Sequence, residues 1–486
     1  MHLLFFRFHF CVMEINIHKA KKIHLVGIKG VGMTALAQML KALDKNISGS
    51  DKEEVFFTDN ILKRFKIKVF KGFYVKNIDT DTDLIISSAA YIRKKGNTFL
   101  GSGPGTKIIN YAISKNIPVL SYPEAISQLF NKSFGIAVAG THGKSTTSAM
   151  AAVMLEHCRK DPRAIIGTKV LNWQANARVS QASLQRTPFV LEADEYRDAF
   201  LNYYPHVILL TNIEWDHPDY FSNNAIYKKS FLKFLKNLDK RGSLIYCADD
   251  PGATEIAEKN QNVPMLSYGF SLESRLRIIS EKGSSKGTNF SLVLNNENIG
   301  YFNIKLFGKH NVLNATAVVA LGIILGLPVK NVRKGLAAFK GTARRFEVIS
   351  YRPNIIVDDY AHHPTEISAT ISAVKKAWPD KNIAVLFQPH TFSRTRALFG
   401  GFVSALKNAD RSFILETYGS ARERAVKNKT AKKLAKKLNS LYFNNISTAQ
   451  KKLPKVLGDK DVLITMGAGD VWRVGEILKK QKFQKR

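Results

Sequence analysis

A glycine-rich turn between an apolar run and a helix-compatible stretch most constrains the fold of this chain. Residues 139–147 read AGTHGKSTT and follow the apolar run FGIAV at 134–138. Glycines let the backbone approach an anion, and a helix N-terminus favours negative charge, so the turn predicts a phosphate loop for ATP. In such a loop Lys144 neutralises the β- and γ-phosphates and Ser145 offers its hydroxyl to Mg²⁺. Because Val138 stands where the strict GxxxxGK[ST] pattern has its first glycine, a helix N-terminus without a ligand is the alternative.

Length and composition predict a large globular protein. The chain has 486 residues, of which 45% are apolar, so it can bury a large core and divide into about three domains. It has no run of about 18 apolar residues, the length that a membrane span needs. Its cysteines, Cys11, Cys158 and Cys247, are odd in number and widely spaced, which favours neither a disulfide framework nor a zinc site. We therefore expect a cytoplasmic protein without a membrane partner.

The first residues are apolar but do not form a secretion signal. The stretch MHLLFFRFHF lacks a basic leading region and a small-residue cleavage site, and Met13 follows it closely. We expect residues 1–12 to be a spurious leader upstream of a start at Met13.

The net charge is strongly positive. The chain carries 73 Lys and Arg against 39 Asp and Glu, a formal charge of +34, which raises the question of a nucleic-acid partner. The lysines, however, are spread along the whole chain, and residues 427–438 place leucines and lysines on opposite faces, as in a solvated helix. We expect no nucleic-acid partner. Electrostatic steering of polyanionic small substrates is an alternative use of the charge.

The N-terminal segment has the pattern of a dinucleotide-type fold. We predict a strand at 22–27, a glycine turn at 30–35, a helix at 34–43 and a strand at 47–51. The turn satisfies GxGxxA, and an aspartate follows its second glycine at the offset where an acid meets a ribose, which permits NAD or another nucleotide diphosphate. A βαβ unit whose glycines serve packing alone is the alternative. A further strand at 83–90 ends in small residues, and we interpret 101–107 as a surface loop.

Two later strands end in carboxylates. The strand at 189–191 runs into EADE, and the strand at 207–210 runs into TNIEWDH. Hard oxygen ligands beside a phosphate loop are what Mg²⁺ requires, and parallel strands deliver their carboxyl ends to one edge of a sheet. An isolated acidic strand end is usually a helix cap or a solvated turn, but two of them beside a GKS loop favour one shared crevice.

The last segment predicts another α/β sheet. The strands at 355–360, 383–387 and 462–466 alternate with helical stretches, and polar loops follow each of them. Before this segment, GKHNVLNA opens a long apolar helix, with His310 and Asn311 at its start. A plain helix cap is the alternative for these two residues.

Taken in order, the motifs resemble the Mur ligase family, most closely its branch that adds L-alanine. The motifs GxxGxGM, AGTHGKSTT, EADEY, TNIEWDHPDYF, GKHNVLNA, DDYAHHPTE, FQPHTFSRT and GAGD occur in family order from about residue 22 to residue 472. The resemblance implies three α/β domains. These are a Rossmann-like UDP-sugar domain at 1–133, a P-loop ATPase domain with a mostly parallel sheet at 134–342, and a Rossmann-like amino-acid domain at 343–486.

The resemblance also implies site residues. ATP is expected to contact Gly140, Thr141, His142, Gly143, Lys144, Ser145, Thr146, His310, Asn311, Asn314 and Arg345. Mg²⁺, which Mn²⁺ can replace, is expected on Ser145, Glu192 and His217. The UDP sugar is expected to contact Gly30, Gly32, Asp51, Ser87 and Ser88, and the side of L-alanine and the transferring phosphate is expected to hold Tyr360, His362, His363 and Arg394. The residues expected to carry the catalysis are Lys144, Glu192, His217 and Arg345.

The implied reaction joins L-alanine to the lactyl carboxylate of UDP-N-acetylmuramate through an acyl phosphate, in the synthesis of peptidoglycan precursors. The base for the amine is left open between His217 and a neighbouring carboxylate, and neither Lys228 nor Lys229 is assigned as the carbamylated lysine that several relatives carry. A recycling ligase that attaches a wall tripeptide is the alternative within the family. A nucleotide-sensing or nucleic-acid-binding protein would not need the strand-end acids, and a dehydrogenase would explain only the first 60 residues. We expect a monomer or a homodimer.

Overall fold

The computed structural model describes residues 15–95, 98–260, 262–284, 286–350, 352, 354–419 and 429–480. The chain forms two compact units, an N-terminal unit up to Gln128 and a C-terminal unit from Leu129 on. Residues 1–12, interpreted above as a leader, lie outside the described residues, as do Lys427 and Asn428 of the predicted lysine-rich helix.

The N-terminal unit is built on a five-stranded sheet in the order β3-β2-β1-β4-β7, in which every neighbouring pair is parallel. The elements are β1 (Lys22–Val26), α1 (Val31–Ala42), β2 (Asn46–Asp51), α2 (Thr58–Arg64), β3 (Lys68–Lys71), β4 (Leu84–Ser87), β5 (Ile92–Lys95), β6 (Thr98–Gly101), α3 (Thr106–Ser114), β7 (Val119–Ser121) and α4 (Tyr122–Phe130). Strands β5 and β6 pair as a separate antiparallel ribbon. The predicted βαβ unit is confirmed, and α1 begins at Val31, three residues earlier than expected.

The prediction of a surface loop at 101–107 is wrong. Gly101 ends β6, residues Gly103–Gly105 form a short 3-10 helix, and Thr106 opens α3. Proline is tolerated in the first turn of a helix because its missing N–H would be unpaired there in any case, so Pro104 does not break this segment.

The C-terminal unit contains a ten-stranded and a six-stranded sheet. The ten-stranded part comprises β8 (Phe134–Ala139), α5 (Lys144–His157), β9 (Arg163–Val170), β10 (Ala175–Arg178), β11 (Pro188–Glu192), β12 (Val207–Leu210), α6 (Asn224–Leu235), β13 (Ser243–Cys247), α7 (Pro251–Glu258), β14 (Met265–Gly269), β15 (Leu276–Ser284), β16 (Gly287–Leu294), β17 (Glu297–Ile304), α8 (Lys309–Ile324) and α9 (Val329–Ala338). Its strand order is β10-β9-β11-β8-β12-β13-β14-β15-β16-β17. The run from β9 to β15 is parallel, and the two ends of the sheet are antiparallel.

The six-stranded part follows in the chain. It comprises β18 (Glu347–Ser350), β19 (Ile355–Asp359), α10 (Pro364–Ala377), β20 (Asn382–Phe387), α11 (Phe392–Ala397), α12 (Phe399–Leu406), β21 (Arg411–Leu415), α13 (Thr430–Lys437), β22 (Leu441–Phe443), α14 (Ile446–Val456), β23 (Asp461–Met466) and α15 (Trp472–Leu478). Its order is β18-β19-β23-β20-β21-β22, parallel except for the first pair. The predicted α/β class with mostly parallel sheets is confirmed.

Two helices make the core beside the site. Helix α5 is buried from Ser145 to Leu155, and α8 is buried over most of its length. Both pack into one apolar cluster with the inward residues of the ten-stranded sheet. The start of each helix is therefore fixed in place, because the rest of the helix is buried.

Helix α13 is amphipathic. It buries Ala431, Leu434 and Ala435 while its lysines face outward, as the charge pattern predicts. None of the helices in the described ranges has the length and apolar composition for a membrane crossing.

A buried histidine predicts acid sensitivity of the N-terminal unit. The His24 side chain is fully buried, with Nδ1 2.9 Å from Ser48 Oγ and Nε2 3.0 Å from Ser50 Oγ. Burial lowers the pKa of His24 from 6.5 to about 4, so the unfolded chain takes up the proton first as the pH falls. The stabilisation by neutral His24 is complete above the unfolded pKa and declines as the pH falls from there towards 4. The resulting decrease in the free energy of unfolding reaches about 2 kcal/mol near pH 5.

Hydrogen exchange in peptides that cover β1 and β2 measures this loss. Comparing wild type with His24→Gln at the same pH cancels the intrinsic exchange rates, and the glutamine does not titrate. We expect the protection of wild type relative to the variant to fall between about pH 7.5 and pH 5. Substitution of the exposed His157 by Gln is the control. An unchanged ratio across this range would contradict the prediction.

Candidate active site

The phosphate loop lies at the carboxyl edge of the ten-stranded sheet. Strand β8 runs between β11 and β12, both parallel to it, and residues 140–143 connect β8 to α5. Gly140 and Gly143 have φ angles of 133° and 81°, which favour glycine. A Cβ on Gly140 would also collide with the hydroxyl of Thr211 after β12. The loop conformation therefore requires both glycines, and the helix N-terminus opens directly behind it.

Lys144 is held inside this loop. Its Nζ donates to the carbonyl oxygens of Gly140 and Thr141 and lies 2.8 Å from Glu195 Oε2. Burial alone would lower the pKa of Lys144, but the charges of Glu195 and Asp194 outweigh it and raise the pKa. The ammonium group is therefore a fixed positive charge at the start of α5.

Glu192 and Ser145 form an oxygen pair beside the loop. The Ser145 hydroxyl donates to Glu192 Oε1 at 2.8 Å, and the amide of Gly167 donates to Oε2 at 2.6 Å. Burial raises the pKa of Glu192. A bound divalent cation would favour the ionised carboxylate, so this pair is suited to Mg²⁺.

His217 lies in a second cluster of potential ligands. Its Nε2 is 3.7 Å from Glu195 Oε1 and 3.8 Å from Asp216 Oδ2. The ligand atoms of Asp194, Glu195 and His217 all lie within 4.8 Å of one another. Through Glu195, the structure brings His217, which the resemblance implies as a Mg²⁺ ligand, to the Lys144 side of the loop.

Two residues of this region were missed by the sequence analysis. The Tyr227 hydroxyl is 2.9 Å from Thr141 Oγ1 and donates to Glu195 Oε1 at 3.1 Å, and its side chain is fully buried on α6. Tyr227 thus connects the phosphate loop to Glu195. Glu195 belongs to the EADEY motif that we had identified, whereas no signal in the sequence marks Tyr227.

The start of α8 borders a cavity of about 220 Å³. Its lining includes seven of the residues predicted for ATP, namely His142, Gly143, Thr146, His310, Asn311, Asn314 and Arg345. Asn311 donates to the carbonyl oxygen of Phe307 at 2.8 Å, and Asn314 donates to Asn311 at 3.3 Å. Burial lowers the pKa of His310 to about 4, so this ring is neutral.

Residues of the six-stranded part face the same cavity. Arg345 Nη1 is 3.4 Å from Glu366 Oε1, and its guanidinium lies over the Tyr360 ring at 5.0 Å. His362 Nδ1 is 3.0 Å from the carbonyl oxygen of Tyr360, and burial lowers the pKa of His362 to about 3. His363 caps the N-terminus of α10. The predicted residues after β19 therefore lie on the phosphate-loop side of this sheet.

A histidine of the loop contacts carboxylates from both parts. His142 Nε2 is 2.9 Å from Glu214 Oε2, after β12, and Nδ1 is 3.3 Å from Glu366 Oε1, on α10. Burial opposes protonation, but the two carboxylates raise the pKa of His142 to about 9. Glu214 and Glu366 belong to the TNIEWDHPDYF and DDYAHHPTE motifs, but their approach to one histidine depends on how the two sheets pack together.

Arg394 and Asp216 form a buried ion pair between the two parts. Arg394 Nε and Nη2 lie 2.8 and 3.0 Å from the two oxygens of Asp216, and both residues are 4% exposed. Burial would raise the pKa of Asp216, but Arg394 outweighs it and holds the pKa well below its usual range. The structure thus directs two of the Arg394 donors to Asp216, while the resemblance places Arg394 on the side of L-alanine and the transferring phosphate.

The residues predicted for the UDP sugar lie in the N-terminal unit, at the carboxyl ends of β1, β2 and β4. Gly30 caps α1, and a Cβ on Gly32 would meet the Tyr122 ring, which supports a packing role for Gly32. Asp51 Oδ2 accepts from the amide of Lys29 at 2.7 Å, and burial raises the pKa of Asp51. Ser87 ends β4, and the Ser88 amide donates to Val26. Three adjacent strands thus bring these residues to one edge.

Fold and site together define a nucleotide-binding α/β protein in which a phosphate loop lies among paired carboxylates and cations. Three family models match consecutive stretches of the chain: the Mur ligase family catalytic domain at 22–134, the Mur ligase middle domain at 138–322, and the Mur ligase glutamate ligase domain at 344–469. The chain belongs to the Mur ligase family.

Individual relatives agree with this assignment. A UDP-N-acetylmuramate–L-alanine ligase of Desulfitobacterium hafniense is 37% identical over 94% of this chain and 99% of its own length. The crystal structure of UDP-N-acetylmuramate-alanine ligase MurC from Thermotoga maritima matches with a TM-score of 0.77 and 26% identity, over 94% of this chain and 98% of that one. A murein peptide ligase of Psychrobacter arcticus shares the fold, with a TM-score of 0.71 and 24% identity over 95% and 98% of the two chains.

The buried Asp216–Arg394 pair predicts a large loss of stability when one partner is removed. Asp216→Asn leaves Arg394 charged and buried without its counter-charge, which costs about 3 to 5 kcal/mol. All four tryptophans of the chain lie in the C-terminal unit, so urea unfolding followed by their fluorescence measures this effect. Asp219→Asn, at an exposed position nearby, is the control, with an expected loss below about 1 kcal/mol. Adding Arg394→Gln to Asp216→Asn is expected to restore part of the loss, and a single variant as stable as wild type would refute the argument.

Proposed function

We propose that this chain is an ATP-dependent ligase that joins L-alanine to the lactyl carboxylate of UDP-N-acetylmuramate, in peptidoglycan precursor synthesis. The observation that carries the proposal is the fixed Lys144 ammonium in a phosphate loop, with the Ser145–Glu192 pair beside it and the Arg345 guanidinium on the same cavity. The relatives named above supply the substrates.

The chemistry follows from the weakness of a carboxylate as an electrophile. The lactyl carboxylate attacks the γ-phosphate of ATP and forms an acyl phosphate while ADP leaves. The amine of L-alanine then attacks the acyl carbon, loses a proton, and releases inorganic phosphate. Lys144 and Arg345 would stabilise the charge on the transferring phosphoryl group, since such reactions depend mainly on positioning and electrostatics.

Divalent cations belong to this proposal. The hydroxyl of Ser145 already contacts the Glu192 carboxylate, and burial of that carboxylate disfavours its charge unless a cation compensates it. These two residues would hold one Mg²⁺ and His217 a second, with Mn²⁺ as a substitute. When bound, the ions neutralise phosphate oxygens.

The remaining assignments are also proposals. Gly140, Thr141, His142, Gly143, Thr146, His310, Asn311 and Asn314 would contact ATP, and Gly30, Gly32, Asp51, Ser87 and Ser88 the UDP sugar. Tyr360, His362, His363 and Arg394 would form the side of the amino acid and the transferring phosphate. His217 and its neighbouring carboxylates are the candidate bases for the amine, because they lie together beside Lys144.

Domain limits, location and assembly complete the proposal. We assign the UDP-sugar domain to 1–133, the ATP domain to 134–342 and the amino-acid domain to 343–486. The cytoplasm supplies ATP and nucleotide sugars, and a reducing compartment agrees with Cys158 and Cys247, which form no disulfide among the residues that the structure describes. We propose small-molecule substrates only, without nucleic acid or membrane, and a monomer or homodimer.

The reaction is tested by phosphate release from ATP with UDP-N-acetylmuramate, Mg²⁺ and one acceptor at a time. We expect release to require both the nucleotide sugar and L-alanine, with glycine, L-serine and the wall tripeptide as comparison acceptors. Release that depends on the tripeptide would assign the chain to the recycling reaction instead. No release with any acceptor would reject a ligase.

Removal of the Lys144 ammonium tests the ATP assignment. Lys144→Ala deletes a charge that contacts the transferring phosphoryl group, so we expect kcat/KM to fall at least about a hundredfold, or about 3 kcal/mol of transition-state stabilisation. The exposed lysine Lys432 on α13, replaced by Ala, is the matched control. Near-normal ligation by a folded Lys144→Ala variant would show that the loop does not serve ATP.

A further inference from the structure

We propose that Glu366 is a positioning residue of the phosphate-transfer site. It holds His142 of the phosphate loop and Arg345 of the junction segment, residues 339–346, which connects the two sheets. Docking of the six-stranded part therefore completes the ATP site. The inference rests on the proposed function and deepens it, because it assigns a role to a residue outside the phosphate loop and outside the carboxylates beside it.

The first step is the position of the carboxylate. Glu366 is the third residue of α10, and its Oε2 accepts from the amides of His362 at 3.0 Å and His363 at 3.3 Å. It forms a capping box with His363. Oε2 is thereby fixed by the N-terminus of α10, and this also fixes the position of Oε1.

The second step is what the other oxygen contacts. Oε1 lies 3.3 Å from His142 Nδ1 and 3.4 Å from Arg345 Nη1, and the Glu366 side chain is only 12% exposed. His142 belongs to the phosphate loop, and Arg345 belongs to the segment that connects the two sheets. A single oxygen of α10 therefore contacts two groups from other elements that border the same cavity.

The third step is the charge. A carboxylate in a cavity for polyphosphate repels its ligand, so Glu366 does not serve by attracting ATP. Burial favours its protonated form, but the hydrogen bond and charge of His142 and the charge of Arg345 hold the pKa of Glu366 well below its usual range. The anion is therefore maintained by its neighbours, and its contribution is to hold those neighbours in place.

The fourth step is the other side of His142. Its Nε2 is 2.9 Å from Glu214 Oε2, while Glu214 Oε1 accepts from the Thr365 hydroxyl at 2.8 Å. His363 lies with its ring 4.8 Å from that of His142. Glu214 is supplied by the ten-stranded part and Glu366 by the six-stranded part, so both carboxylates engage His142 only when the two parts are docked.

Glu366→Gln tests the role with little change in shape. The amide keeps an oxygen for the capping box but loses the charge. We expect kcat to fall about tenfold or more, while KM for ATP stays unchanged or falls, because a negative charge leaves the cavity. Glu416→Gln is the matched control, since Glu416 is a half-buried carboxylate that follows β21 in the same six-stranded part and accepts from the Tyr442 hydroxyl. An unchanged kcat in Glu366→Gln would overturn the proposal.

A double-mutant cycle separates positioning from helix capping. If Glu366 acts through His142 and Arg345, adding Glu366→Gln to His142→Gln costs less activity than the same change in the wild type, because only the contact with Arg345 is still there to lose. Losses that multiply would show an independent structural role and overturn the proposal.

Histidine NMR of the full chain supplies a readout that does not need ligation. We expect the His142 resonance, assigned by its absence in His142→Gln, to titrate at lower pH in Glu366→Gln, since one of its two carboxylates is gone. An unchanged titration would overturn the contact. A shifted titration in a chain that does not ligate L-alanine would reject the proposed function while the contact stands.

Discussion

The parallel pairing of β8 with β11 and β12 is the constraint on which the rest of the site depends. In register, Val138 pairs with Glu192 and Ala139 with Leu210, so the phosphate loop and the two acidic strand ends leave the sheet at the same level. Because α5 is buried behind this edge, Lys144 starts from a fixed backbone. The register of these strands thus determines the positions of the carboxylates around Lys144.

Buried charge then links the site to the packing of the two sheets. A buried ion is costly unless an opposite charge compensates it. Lys144 pairs with Glu195 within the ten-stranded part. Asp216 pairs with Arg394 across the junction, and His142, which already contacts Glu214 in its own part, gains Glu366 there. The balance of buried charge at the site therefore depends on the docking of the six-stranded part.

The sequence alone was sufficient for features encoded locally. The glycine turn, the apolar strands and the acids at their ends follow from patterns of a few residues, and the structure has them in the predicted elements. The contact between Thr365 and Glu214 joins residues 151 positions apart and depends on the packing of two sheets. The spacing of apolar residues along the sequence does not predict such a contact. Tyr227 was missed because a tyrosine on an apolar helix face is predicted to be a core residue. Its role at the site follows only from the contact between its hydroxyl and Thr141, which the sequence does not show.

The junction between the sheets explains how Arg345 enters the cavity. Arg344 and Phe346, on either side of it, have φ angles of 60° and 49°, which cost a non-glycine residue about 1 to 3 kcal/mol each. The Arg344 guanidinium contacts Asp358 and the carbonyl oxygen of Gly469 at 3.0 Å, while the Thr168 hydroxyl donates to Ala343 at 2.9 Å. The segment is therefore attached to both sheets within two residues. We therefore expect a movement of one sheet against the other to displace Arg345, which couples the geometry of the phosphate site to the docking of the two parts.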